Sequence, residues 1–96
     1  MRRDQVLSVL REHAPEITAL GVASLAVFGS VAREEAGTQS DVDILVEFDR
    51  PVGLFEFVRV QQRLETLLGR RVDLVTLDAL RPSMRERILN EAVYAS

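Results

Sequence analysis

Three acidic residues carry most of the chemical information in this sequence: Asp41, Asp43 and Asp73. Asp41 and Asp43 are two apart at the start of a segment, Asp41 to Phe48, that alternates polar and apolar residues. On a strand that spacing points both carboxylates to one face, roughly 6–7 Å apart. Like charges so close on a partly buried sheet are destabilising unless a cation lies between them. Carboxylate oxygens suit hard ions such as magnesium, which completes its octahedron with water and phosphate oxygens. Paired ions of that kind stabilise the attacking and leaving oxygens of an in-line displacement at phosphorus. Each acid alone says little. Asp41 could cap a turn, and Asp73 could pair with Arg70 or Arg71 at the surface. The combination is what informs.

A second group lies upstream. Gly29-Ser30 falls where an apolar run passes into a short helical segment. Glycine permits close backbone approach, and a helix N-terminus offers free amide donors to an anion. Ser30 could cap that helix and donate its hydroxyl to a phosphate, with Arg33 projecting from the first turn toward the same anion. By themselves these residues also fit an ordinary helix cap.

The elements that must position these groups follow from periodicity. A helix over Arg3 to His13 has Val6, Leu7 and Leu10 on one face; Pro15 ends it, a short connection follows, and Gly21 allows a turn. Val22 to Phe28 reads as a buried strand and Val31 to Glu35 as a short helix. In the strand Asp41 to Phe48, Val42, Ile44, Val46 and Phe48 share one face, opposite Asp41, Asp43, Leu45 and Glu47. Leu54 to Leu68 is an amphipathic helix (Leu54, Phe57, Val58, Gln61, Leu64, Leu67 and Leu68 at helical spacing) closed by Gly69. Val72 to Leu77 is a third strand.

A last helix spans about Pro82 to Ala92, with a capping box at Ser83-Met84-Arg85-Glu86. It sets Arg81, Arg85 and Arg87 opposite Met84, Ile88 and Leu89, a pattern that suits a solvated helix over the core or a docking surface. Phe55, Phe57 and Tyr94 suit core packing ahead of the alternative, contact with a partner. The order α-β-α-β-α-β-α implies an α/β fold, a small mixed sheet of three to four strands flanked by helices. Antiparallel pairing of the first two strands would bring Gly29-Ser30 beside Asp41 and Asp43. A right-handed crossover would make the second and third strands parallel and carry Asp73 to the same edge.

Composition narrows the chemistry. Ninety-six residues, 47% hydrophobic and 28% charged, make one domain over residues 1–96. Cysteine is absent, which excludes disulfides, zinc-thiolate sites and thiol nucleophiles. His13 is the single histidine, so no histidine metal cluster forms. All 12 basic residues are arginine, so neither a Schiff-base lysine nor a P-loop lysine exists. The net charge of −3 opposes direct DNA binding. No run matches a signal peptide or a membrane span, which leads to the expectation of a cytoplasmic protein with no membrane partner.

The stretch Gly29-Ser30-Val31-Ala32-Arg33, followed by Ser40-Asp41-Val42-Asp43-Ile44-Leu45-Val46, resembles the signature of the minimal nucleotidyltransferase (MNT) family of the DNA polymerase beta-like nucleotidyltransferase superfamily. Asp73 in Arg71-Val72-Asp73-Leu74-Val75 fits that family's third acid, and the element order matches along essentially the whole chain. One position departs: Glu34 stands where the family has glycine after the arginine, and an acid there would repel a triphosphate.

The resemblance implies the nucleotidyltransferase fold and an antitoxin paired with a HEPN-domain ribonuclease toxin as a hetero-oligomer. It implies transfer of AMP from ATP to a tyrosine of that toxin. Asp41 and Asp43 would bind two magnesium ions, and Asp73 would ligate one and accept the tyrosine proton. Gly29, Ser30, Arg33 and Ser40 would hold the nucleotide phosphates. Two other readings compete, an antitoxin that neutralises its partner by contact alone and a transferase acting on a small molecule.

Overall fold

The computed structural model describes residues 2–35, 37 and 41–95. Helices α1 (Arg3–Glu12) and α2 (Ala14–Ala19) precede strand β1 (Val22–Phe28), a single-turn helix α3 (Gly29–Ala32) and strand β2 (Val42–Phe48). Helix α4 (Leu54–Leu68), strand β3 (Val72–Thr76), a 3-10 turn at Leu77–Ala79, helix α5 (Pro82–Glu91) and the short strand β4 (Val93–Tyr94) complete the chain. The sheet order is β3-β2-β1-β4. β1 runs antiparallel to β2 and β4, while β2 and β3 are parallel, as the α4 crossover requires. The fold is the expected mixed sheet flanked by helices.

The two faces of the sheet are covered unequally. Val42, Ile44 and Val46 of β2 join Val27, Val72 and Leu74 in the main core, packed under Val6 and Leu10 of α1 and Val60, Leu64 and Leu68 of α4. The opposite face holds a smaller cluster, Ala26, Phe28, Leu45 and Ile88, covered by α5. Asp43 has the parity of Leu45 and so lies on this second, thinly covered face. Arg85 anchors α5 by donating from Nε to the Leu77 and Leu80 carbonyl oxygens at 3.1 and 3.0 Å. Among the described residues no helix is long and apolar enough to cross a membrane.

Several local expectations are corrected. The first helix ends at Glu12, ahead of Pro15, but the expected short connection is itself helix α2, with Pro15 in its first turn, where a missing amide hydrogen costs nothing. The short helix begins at Gly29 rather than Val31, and β3 ends at Thr76, with Leu77 opening the 3-10 turn. The capping box at Ser83 does not form: Arg81 is the N-cap and Pro82 takes the first helical position. Leu54 is 74% and Phe55 86% exposed, so neither belongs to the core; Val60, further along the same helix, is buried there instead. Phe57 does pack on the core, tilted against Phe48 at 6.3 Å between ring centroids. Tyr94 on the edge strand and Met84 and Leu89 on α5 are exposed, and of the apolar residues on that helix only Ile88 is buried.

Candidate active site

The site begins with a glycine that no other residue can replace cheaply. β1 ends extended at Phe28, and the chain enters α3 through Gly29 at φ +73°. That backbone region disfavours a side chain. Space forbids one as well: a Cβ on Gly29 would stand 2.1 Å from Oδ2 of Asp43. The contact follows from register, because antiparallel pairing sets Phe28 opposite Asp43. Ser30 lies half-buried in the first turn of α3. It is not the expected cap, since the N-cap position belongs to Phe28 and no side chain caps the helix.

On its other side β2 pairs in parallel with β3, and Asp43 stands opposite Asp73. Burial pushes the Asp43 carboxyl up to about 6; the negative charges of Asp73 and Asp41 and a hydrogen bond with Asp73 add to the rise, and Arg33 offsets part of it. Asp43 thus behaves as a carboxylate lacking a compensating cation. Asp41 is exposed at the mouth of the strand, where the Val42 amide donates to the Arg71 carbonyl oxygen at 2.9 Å. Neither Arg70 nor Arg71 forms an ion pair with Asp73 among the described residues.

The donor set suits a hard divalent ion. Among the described residues, no three acidic, histidine or cysteine side chains close into a ready metal cage. Asp43 and Asp73 form a pair, with Asp41 two residues along the strand. An open pair fits magnesium, which is usually held by one or two carboxylates and completed by water and substrate phosphates. A wide hollow lined by Glu47, Phe48, Thr76 and Leu77 lies at the opposite end of β2, away from these carboxylates.

Arg33 is at the C-cap of α3, close to the site but not free. Its Nε donates to Glu35 at 3.0 Å and one terminal nitrogen to Glu91 at 2.9 Å. Glu34 adopts φ 59°, the left-handed conformation that a glycine would take without strain. Its side chain is exposed. Ser40 lies outside the described residues. Glu91 is the site residue that sequence reasoning missed. Its second oxygen accepts the Gly29 amide at 3.1 Å, yet nothing in the local pattern of α5 distinguishes it from a solvated glutamate.

The geometry therefore gathers Gly29, Ser30, Arg33, Asp41, Asp43 and Asp73 at one end of the sheet, where β1 finishes and β2 and β3 begin, with Glu91 behind them. The chain is 41% identical over 92 residues to the protein adenylyltransferase MntA of Thermococcus cleftensis, covering 95% of this chain and 93% of that one. A structure solved as a candidate minimal nucleotidyltransferase superposes with a TM-score of 0.80 at 41% identity, covering 97% of this chain and 95% of the other. A chain from the complex of a tri-AMPylated Shewanella oneidensis HEPN toxin with its MNT antitoxin shares the fold, with a TM-score of 0.60 at 19% identity over 98% of this chain and 68% of that one. The model of the nucleotidyltransferase domain matches residues 4–95. With that span matched, the chain belongs to the nucleotidyltransferase-domain family.

Proposed function

We propose that this protein is a cytoplasmic antitoxin that transfers AMP from ATP to a tyrosine of a cognate HEPN-domain toxin. The observation that carries the reading is the pairing of Asp43 with Asp73 directly against Gly29. The identity to MntA and the MNT antitoxin bound to an AMPylated toxin support the choice of acceptor.

In this reading Asp41, Asp43 and Asp73 would hold two magnesium ions, which would offset the negative charge that builds on the phosphate oxygens during transfer. Ser30, the backbone at Gly29 and Ser40 hold the triphosphate, and Arg33 faces the departing pyrophosphate. Asp73 takes the proton of the tyrosine hydroxyl as its oxygen bonds to the α-phosphorus, and the bond from that phosphorus to pyrophosphate breaks.

Neutralisation by contact alone is the second reading. It is favoured by the engagement of Arg33 with Glu35 and Glu91, and by the acidic residue at position 34. Intact-mass analysis separates the two. The protein is incubated with magnesium, ATP and a candidate HEPN partner, with D41N/D43N as control. A gain of one or more AMP units on the partner, absent with the control, supports transfer. No gain with any of the four nucleoside triphosphates, beside a complex that the control forms equally well, removes the catalytic reading.

A further inference from the structure

The Glu91 carboxylate reaches from the last turn of α5 to two separate groups of the site. One oxygen accepts the backbone N–H of Gly29 at 3.1 Å and the other accepts from the Arg33 guanidinium at 2.9 Å. The side chain is only 17% exposed, against 38% for Arg33. Gly29 is buried, and its amide opens α3, so no earlier turn of that helix supplies it with a carbonyl. Charge-assisted hydrogen bonds of this kind are shorter and stronger than neutral ones and hold two donors in fixed relation.

We propose that Glu91 is a positioning residue: it is the strut that fixes the Gly29 turn against Asp43 and sets the direction of Arg33 for the nucleotide. α5 follows β3, so a residue remote in sequence from both partners sets the depth of the turn. The burial that disfavours the Glu91 charge is outweighed by hydrogen bonds from Arg33 and Gly29, and its carboxyl lies below the usual range.

The geometry could also describe an internal anion that occupies the nucleotide's place. The two roles predict opposite signs. A strut, when cut, weakens nucleotide binding. A plug, when removed, strengthens it.

The inference rests on the proposed use of Arg33 for nucleotide, so its test carries one readout that does not. Wild type, E91Q and E91A are compared for magnesium–ATP affinity by titration calorimetry and for the Gly29 amide by NMR. E91Q keeps the shape and one acceptor, which protects the comparison if E91A fails to fold. Expected for E91Q is ATP binding about tenfold weaker, equivalent to ~1.4 kcal/mol. KM for ATP rises with it. The Gly29 amide moves upfield and exchanges faster with solvent.

An R33Q/E91Q double variant should lose little more affinity than R33Q alone, because both act through one guanidinium. ATP binding that is unchanged or tighter in E91Q overturns the strut. If wild type binds no ATP, the nucleotide reading itself fails. The Gly29 amide then decides the strut alone: an unaltered resonance in E91Q refutes it.

Discussion

Replacing Asp43 by asparagine should stabilise the metal-free protein while abolishing transfer. The Asp43 carboxyl titrates near 6 in the folded chain, against 3.8 for the ordinary side chain. A raised carboxyl favours the protonated form, so folding binds a proton between those values. The sign follows: below about pH 4 both states are protonated and no penalty exists. As pH rises toward 6 stability falls, and above 6 the whole penalty is present.

Two pKa units or so set a ceiling of about 3 kcal/mol. Asp43 is only half-buried, and solvent screening reduces this to roughly 1–1.5 kcal/mol. Asparagine removes the charge and can still donate to Asp73. Thermal unfolding in the presence of a chelator should therefore place D43N roughly 5–10 °C above wild type at pH 7.5. The gap should close by pH 4. Magnesium should raise the wild type and leave D43N unmoved, since the ion supplies the missing positive charge. A D43N protein that is less stable than wild type at neutral pH, or a gap independent of pH, refutes the reasoning.

Other expectations follow from single contacts. Gly29→Ala combines a left-handed backbone with a Cβ 2.1 Å from Asp43 and should cost about 2–3 kcal/mol by chemical denaturation. Glu34→Gly should instead add about 0.5–1 kcal/mol by relieving φ 59°, and should lower KM for ATP if the acid repels the triphosphate. Phe55→Ser, at a side chain 86% exposed, should leave unfolding within about 0.5 kcal/mol of wild type. A loss of partner affinity in that variant, read by calorimetry, would then report docking and not folding.

The sheet was legible because its signals are local. Alternation in Asp41 to Phe48 set the faces of β2 correctly, and the length of the connection to Val72 required a crossover and hence a parallel β3. Those two facts suffice to bring Asp73 to Asp43. Harder to read were features fixed by tertiary contact. β4 is two residues long, and no periodicity announces it; it exists because Val93 and Tyr94 meet the open edge of β1. Leu54 has the spacing of a core residue, but the helix begins beyond the reach of the sheet and leaves it in solvent. Ser83 has the pattern of a capping box, but Pro82 at the first helical position moves the cap to Arg81. Glu91 needs α5 docked before its partners exist, so no window of sequence around it could reveal its role.

The parallel register between β2 and β3 also governs how this scaffold can vary. Side chains alternate with period two, so slipping β3 by one residue would turn Asp73 into the core and put Val72 or Leu74 on the carboxylate face. Hydrophobic content would be unchanged, yet the metal-binding pair would vanish. Insertions are absorbed where the chain is between elements, at residues 49–53 and around Gly69. A single-residue deletion within Val42–Phe48 or Val72–Thr76 is a different event. It would press an unpaired carboxylate into the core, strip the core of Val72 or Leu74, and lose the address at which the acids meet.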